Sequence, residues 1–140
     1  GCSIVIGTGD AELLADPQKS LAFEKDARYV FSPDRTVEEG DTVTCGSSSF
    51  TVLATPGHTK GGVCYLGEGM LFCGDTLFYG SCGRTDFYGG NLYDMRRSLQ
   101  RLSTLPPETK VLPGHGPQST IGREVKSNLT MRSLEDDDFF

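Results

Sequence analysis

The sequence has no excess of basic charge and no long apolar run. Thirteen Lys and Arg residues stand against nineteen Asp and Glu residues, which gives a formal net charge of −6 at pH 7. Because binding to nucleic-acid phosphates requires clustered Lys and Arg side chains, this balance argues against a nucleic-acid surface. No apolar segment approaches the length of about 20 residues that spans a membrane. We therefore expect a globular protein whose partners include neither nucleic acid nor a membrane.

Cysteine spacing argues against two further classes of protein. The chain has five cysteines, an odd number, and none of them forms the C-x-x-C pair of redox and zinc motifs. A disulfide framework is therefore not expected. Isolated cysteines in apolar segments, such as Cys64 and Cys73, are typical of reduced, buried side chains. This cysteine usage predicts a cytoplasmic protein.

Turn residues and apolar periodicity divide residues 1–134 into the strands and helices of one domain, followed by an acidic-aromatic tail over residues 135–140. Leu92, Met95, Leu99 and Leu102 recur at helical spacing, and a Pro-Pro pair then ends the segment. Strands, helices and glycine-rich loops in this order predict an α/β layered fold. The sequence predicts strands at 2–7 and 50–55, a short strand followed by Pro-Gly-His within 110–116, and hairpins at 38–58 and 62–75. The predicted helices lie at 9–17, capped by Asp10, at 91–107, and at 119–134, capped by Ser119 or Thr120. A surface segment is predicted at 18–35 and a long loop at 79–90.

Three candidate metal ligands follow predicted strands. His58 follows FTVLATPG, Asp75 follows MLFCG and His115 follows KVLPG, so each stands directly after a glycine. His58 and Asp75 alone are each more typical of an ordinary loop or turn, whereas His115, bracketed by Pro and two Gly, is less ordinary. However, the chain has only two histidines, and both occupy this kind of position. If the strands share a sheet, their ends meet at one rim, where imidazole and carboxylate groups suit zinc or a two-histidine, one-carboxylate iron site.

The same segments resemble a known family. TPGHTKGG, LFCGDTLF and VLPGHGP resemble three successive metal-binding motifs of the metallo-β-lactamase superfamily, and GSCGRTDFYGG and PQSTIGREVKSN resemble its glyoxalase II-like (hydroxyacylglutathione hydrolase-like) branch. The resemblance runs from about residue 50 to residue 128 and implies an αβ/βα four-layer sandwich with a metal centre at one rim. It also implies that His58 belongs to a first metal site, that Asp75 bridges two metals and that His115 belongs to the second site. Cys73 is expected to be a packing residue.

One family motif is absent from the chain. The H-x-H-x-D-H motif, which supplies further ligands to both metals, cannot occur in a sequence with two histidines. We therefore expect an incomplete sandwich that lacks its N-terminal part, with GCSIVIG as the strand after the missing segment. The resemblance implies one or two zinc ions, with iron as the alternative, but this chain is expected to bind them weakly or not at all. An uncovered sheet edge would favour a homodimer.

The resemblance implies a metal-dependent hydrolase in which metal-bound hydroxide attacks a thioester or a related small acyl substrate. Arg84 and Asp86 would support the glycine-rich loop or the ligands, although an ordinary surface ion pair is an equal alternative. Tyr88 would border the substrate entrance or would pack within the loop. The alternative functions are an iron-dependent persulfide dioxygenase and a catalytically inactive fragment or interaction subunit. Nuclease activity is disfavoured by the acidic charge.

Overall fold

The computed structural model describes residues 1–20 and 32–132 as short strands alternating with helices. Residues 21–31 of the predicted surface segment and the tail at 135–140 lie outside the described residues. The strands are β1 (Val5–Gly7), β2 (Arg35–Val37), β3 (Thr42–Cys45), β4 (Ser48–Ala54), β5 (Val63–Gly67), β6 (Met70–Gly74), β7 (Leu77–Phe78), β8 (Ser81–Cys82), β9 (Lys110–Pro113) and β10 (Ser119–Thr120). The helices are α1 (Ala11–Ala15), which follows a 3-10 turn over Thr8–Asp10, α2 (Leu92–Ser103), α3 (Ile121–Ser127) and α4 (Leu129–Arg132).

Six strands form the main sheet in the order β10-β9-β6-β5-β4-β3. The two predicted hairpins are confirmed, because β3 pairs with β4 and β5 with β6 in antiparallel fashion. The strands β6 and β9 pair in parallel, and the connection between them contains α2. Because β4 and β6 both run antiparallel to β5, β4, β6 and β9 point the same way. Their C-terminal ends therefore lie at one rim of the sheet.

Helices cover one face of this sheet and form the core with it. Met95, Leu99 and Leu102 of α2 are each 0% exposed, as expected for apolar residues on one helical face. They belong to one buried cluster with Cys64 and Cys73 of the sheet. Burial raises the pKa of Cys64 to about 11 and that of Cys73 to about 12. The prediction that both are buried, reduced packing residues is thus confirmed.

The other face of the sheet carries aromatic side chains. Phe72 alternates with the buried residues of β6 and therefore points away from the helices. It is 41% exposed and contacts Phe50 edge to face, with ring centroids 5.6 Å apart. The strands β10 and β3 form the edges of the sheet. The homodimer that would cover an edge is still a prediction.

Some predicted boundaries were wrong at the start of the chain and in the long loop. The first strand begins at Val5 rather than at residue 2, and it pairs in parallel with β2 outside the main sheet. The region predicted as a loop over 79–90 contains β8, which pairs with β7 in a two-residue ladder. Leu92, the first residue of α2, is 38% exposed and lies outside the buried cluster. Strands this short have too little periodicity for detection from the sequence.

The helix predicted over 119–134 is divided in two at Asn128. Of the two predicted caps, Thr120 is the N-cap, since its side-chain oxygen accepts a hydrogen bond from the Arg123 amide. Asn128 has extended backbone angles, and its side-chain oxygen accepts hydrogen bonds from the Thr130 amide and hydroxyl. These bonds cap α4 and give the chain a local alternative to a continuous helix. Among the described helices, none combines the length and the hydrophobicity needed to cross a membrane.

Candidate metal centre

His58, Asp75 and His115 lie together at the rim where β4, β6 and β9 end. Nε2 of His58 lies 3.3 Å from Oδ2 of Asp75, and Nε2 of His115 lies 3.3 Å from Oδ1 of the same carboxylate. The side chains of His58, Asp75 and His115 keep 26%, 32% and 73% of their surface exposed. Each histidine therefore faces a different oxygen of one shared, solvent-accessible carboxylate.

The three side chains are of the chemical types that bind zinc or iron, but they offer fewer ligands to each ion than such sites usually have. Imidazole nitrogens and carboxylate oxygens are common ligands of both metals. Across residues 1–20 and 32–132, no group of three His, Cys, Asp or Glu side chains is arranged to hold one ion. Each oxygen of Asp75 has one imidazole beside it, whereas protein zinc sites usually have three or four protein ligands. His58, Asp75 and His115 thus have the geometry of two half-sites that share a carboxylate.

A backbone carbonyl fixes the orientation of the His58 ring. Nδ1 of His58 lies 2.7 Å from the carbonyl oxygen of Arg84. Since a carbonyl oxygen only accepts hydrogen bonds, Nδ1 carries a proton, and Nε2, which faces Asp75, is the ring nitrogen that a metal would bind. This second contact is the usual way in which a protein selects the metal-binding tautomer of a histidine.

The Pro-Gly pair before His58 packs on the first turns of α2. The Ser98 hydroxyl donates to the carbonyl of Pro56 at 2.7 Å, and the Asn91 amide donates to the carbonyl of Gly57 at 2.8 Å. Gly57 has a φ of +147°, and a Cβ there would lie 2.5 Å from the Cα of Met95. The glycine is required because helix α2 approaches the backbone so closely. These contacts therefore fix the direction in which the backbone leaves β4 and, with it, the position of the His58 backbone.

Asp10 contributes to the same loop in a way that the sequence did not predict. It occupies the N-cap position of α1 but makes no capping hydrogen bond with its side chain, so the prediction of a capping role was wrong. Its carboxylate instead accepts hydrogen bonds from the Thr59 hydroxyl at 2.5 Å and from the Gly61 amide at 2.9 Å. Asp10 thereby joins the turn after His58 to the N-terminal segment. The bonded residues are 49 and 51 positions apart in the sequence, and no local sequence pattern predicts these hydrogen bonds.

Arg84 and Asp86 form an exposed ion pair beside the centre. Nε and Nη2 of Arg84 lie 2.6 Å and 2.7 Å from the two carboxylate oxygens of Asp86. The Arg84 guanidinium lowers the pKa of Asp86 to about 2 and also lies 3.7 Å from the centroid of the Phe87 ring. Arg84 contacts His58 through its carbonyl oxygen, whereas its side chain makes the surface ion pair.

Tyr88 contacts α1. Its hydroxyl donates to Oε1 of Glu12 at 3.2 Å, and the Lys19 ammonium lies 5.2 Å from its ring centroid. Lys60 and Lys19 lower the pKa of Glu12 to about 2. These contacts join the loop after β8 to α1 at the surface. The predicted place of Tyr88 at a substrate entrance stays a prediction.

A cleft of about 360 Å³ opens beside the two half-sites. His58 and Asp75 line one part of it, and Val5 and Ile6 of β1 and Tyr65 of β5 line another. The cleft thus combines polar groups at the sheet rim with apolar walls, which is the usual composition of a small-molecule site.

Glu124 is a buried carboxylate near the centre that sequence reasoning did not identify. It is 0% exposed and accepts hydrogen bonds from the Ser119 hydroxyl, from the Gly80 amide at 2.7 Å and from Nδ2 of Asn128 at 3.0 Å. Nη1 of Arg123 adds a contact at 2.8 Å. Burial acts to raise the pKa of Glu124, but these donors together outweigh burial and leave its pKa below the ordinary value. Glu124 is therefore ionised at neutral pH.

Glu124 makes the stability of the fold depend on pH. A carboxylate whose pKa is lower in the folded than in the unfolded chain contributes stability above its ordinary pKa of 4.5, and this contribution is lost as the pH falls through the lowered pKa. We expect Glu124→Gln to cost about 1 to 3 kcal/mol at neutral pH, because it removes hydrogen bonds to a charged group. Urea unfolding followed by circular dichroism between about pH 7 and pH 3.5 checks this, and the gap to wild type should narrow in acid. A gap that stayed constant with pH would contradict it.

The chain belongs to the metallo-beta-lactamase superfamily, since the model of that family matches residues 2–115. Hydroxyacylglutathione hydrolase from Salmonella arizonae is 46% identical over 79 residues, which cover 56% of this chain and 31% of the hydrolase. The chain spans 66% of the length of a related protein from Mycobacterium leprae. It thus corresponds to part of each relative. The resemblance drawn from the sequence is confirmed for the superfamily, with glyoxalase II homologues among the relatives.

Solved structures agree with this assignment. The BLEG-1 B3 metallo-beta-lactamase is 33% identical over 92% of this chain and 65% of its own, with a TM-score of 0.83. ETHE1 from Myxococcus xanthus is 36% identical over 77% of this chain and 54% of its own, with a TM-score of 0.67. TTHA1623 in a di-iron-bound form is 35% identical over 89% of this chain and 63% of its own, with a TM-score of 0.75. The α/β fold class and the metallo-β-lactamase fold are therefore confirmed.

Proposed function

We propose that the protein is a metal-dependent hydrolase that cleaves a thioester of the hydroxyacylglutathione class. One observation carries the proposal: two histidines face the two oxygens of Asp75 in a chain that is 46% identical over 79 residues to a hydroxyacylglutathione hydrolase. His58 and His115 would each hold one ion, zinc or iron, and Asp75 would hold both. A metal bound in this way lowers the pKa of a coordinated water and supplies hydroxide near neutral pH.

The residues of this chain prepare the site for that chemistry. The Arg84 carbonyl keeps the His58 proton on Nδ1, and Asp10 holds the turn that follows. The apolar walls of the adjoining cleft would bind the acyl part of the substrate and exclude water from it. The carboxylate of Asp75 keeps a negative charge between the two imidazoles, which favours cations at both positions.

The test compares this chain with the same chain joined to the H-x-H-x-D-H segment of the family. The extended protein is expected to hold zinc or iron in stoichiometric amount and to hydrolyse a hydroxyacylglutathione thioester, whereas the 140-residue chain should bind metal weakly or not at all. Metal analysis and the release of free thiol measure the two properties. An extended protein that stayed metal-free would contradict the proposed function. Tightly held stoichiometric metal in the short chain would contradict the weak-site prediction.

Iron-dependent oxidation of a persulfide is the second candidate. It is favoured by the similarity to ETHE1 and by the GRTDF segment at residues 83–87, and the di-iron form of TTHA1623 supports iron as the metal. Iron content together with oxygen uptake on glutathione persulfide distinguishes this activity from hydrolysis. Oxygen uptake without thioester cleavage would replace the first candidate by the second.

A further inference from the structure

One short segment contacts all three candidate ligands. Residues 77–84, called the ligand hairpin, comprise β7, its turn, β8 and the two residues that follow. Within it, the ring of Phe78 contacts the ring of His115 edge to face, with centroids 5.7 Å apart and an interplanar angle of 88°. His115 is the most exposed of the three candidate ligands. Its contact with Phe78 therefore restricts a ring that has few other neighbours to hold it in place.

The second half of the ligand hairpin reaches the other two ligands. Gly83 packs against the backbone of Asp75, and a Cβ on it would lie 1.7 Å from the Asp75 carbonyl oxygen. The next residue, Arg84, supplies the carbonyl that holds Nδ1 of His58. A displacement of the ligand hairpin would therefore move contacts of His58, Asp75 and His115 together.

Two buried side chains, one in α3 and one between α3 and α4, hold the turn of this hairpin. Glu124 accepts a hydrogen bond from the Gly80 amide at 2.7 Å. Nδ2 of Asn128 donates to the carbonyl of Ser81 at 3.0 Å and contacts that of Phe78 at 3.4 Å. Both side chains are 0% exposed. The pair thus satisfies a donor and two acceptors of one turn that has only a two-residue ladder of its own.

Glu124 accepts its hydrogen bonds from several donors, one of them the charged Arg123 side chain. Removing one partner of a buried ion pair leaves the other unpaired and is destabilising, so Glu124 contributes to the stability of the fold. What an apolar side chain cannot do is accept the Gly80 hydrogen bond and so fix the direction in which the turn leaves β7. Besides contributing to stability, Glu124 therefore fixes the position of the ligand hairpin.

We infer that Glu124 and Asn128 are positioning residues for the metal centre, because they anchor the hairpin that contacts His58, Asp75 and His115. The role of these three residues as ligands rests on the proposed function. The positions of the two imidazole rings do not depend on the proposed function, since they are a property of the metal-free chain. The inference can therefore fail while the proposed function holds, and the proposed function can fail while the inference holds.

Nuclear magnetic resonance of the histidine rings in the metal-free 140-residue chain tests the inference. In Glu124→Leu, the His58 ring is expected to lose its hydrogen bond from Nδ1 to the Arg84 carbonyl, and the His115 ring protons are expected to lose the shift caused by Phe78. Glu124→Gln keeps an acceptor for Gly80 and should leave both rings close to wild type. Ile121→Val is the matched control, because it trims a buried apolar residue of the same helix that makes no side-chain hydrogen bond to the turn. It should lower stability and leave both rings unchanged.

A second variant and a metal titration complete the test. Asn128→Ala removes the donor to the turn and should shift the same ring signals, and both Glu124→Leu and Asn128→Ala should bind Zn²⁺ about tenfold more weakly than Ile121→Val. Ring signals that match wild type in a folded Glu124→Leu would overturn the inference. Unfolding of both variants would also overturn it, because the pair would then hold the fold rather than the ligands. If the 140-residue wild type bound no Zn²⁺, the ring signals would still decide the inference, and the extended protein would decide the proposed function.

Discussion

Replacing Asp75 by asparagine is expected to weaken Zn²⁺ binding beyond the roughly 10- to 100-fold loss typical of a residue that only orients a ligand. Each histidine faces its own oxygen of this carboxylate. Asparagine has one oxygen and one amide group, and the amide nitrogen donates hydrogen bonds but offers no lone pair to a metal. One of the two histidines therefore loses its partner ligand, and the site also loses its negative charge.

The matched control is Asp86→Asn, which removes one negative charge from the loop after β8 and breaks the exposed ion pair with Arg84. Its affinity should stay within about twofold of wild type, since exposed ion pairs contribute little. Each oxygen of Asp75 has one imidazole beside it, so each Zn²⁺ ion has few ligands and weak affinity is expected. Titration of the histidine ring resonances with Zn²⁺ measures affinities in this weak range. Equal Zn²⁺ affinity in Asp75→Asn and Asp86→Asn would exclude Asp75 as the shared ligand.

The three candidate ligands converge because their strands run in the same direction. This convergence could be predicted, since each ligand stands at a strand end that the sequence reveals. His58, Asp75 and His115 each follow an apolar strand, and β4, β6 and β9 point to the same rim because of two antiparallel pairs and one parallel pair. Short-range patterns revealed the strands and their ends. The rim could then be inferred, because strands that run the same way in one sheet end on the same side.

The contacts that orient these ligands could not be inferred in the same way. The bond from Gly80 to Glu124 spans 44 residues, and the bond from Thr59 to Asp10 spans 49 residues. Each joins a side chain to a loop whose position depends on the packed sheet and helices. Asp10 even stands where a helix cap is expected, so the local pattern suggested a different role. Contacts of this kind depend on tertiary structure, which leaves no periodic trace in the sequence.

Replacing Gly83 by alanine is expected to damage both stability and the metal centre. The added Cβ would lie 1.7 Å from the Asp75 carbonyl oxygen and 3.3 Å from Cβ of His58. The nearer contact is with backbone, so no change of side-chain rotamer can relieve it, and either the ligand hairpin or the end of β6 must move. Overpacking of this kind costs about 1 to 3 kcal/mol and sometimes more. Urea unfolding followed by circular dichroism measures the loss of stability.

The control separates backbone strain from displacement of the centre. Gly46 lies in the turn between β3 and β4 with a φ of +63°, and a Cβ added there would meet no atom of the described residues within 4 Å. Gly46→Ala therefore adds conformational strain of about 1 to 2 kcal/mol without a clash. Both variants should lose stability, but only Gly83→Ala should also lose Zn²⁺ affinity, because its strain falls on Asp75. If Gly83→Ala kept the affinity of wild type, the ligand hairpin would be free to move without disturbing the carboxylate. In that case the contact at Gly83 would serve packing alone, and the control of His58 and Asp75 by one segment would have to be abandoned.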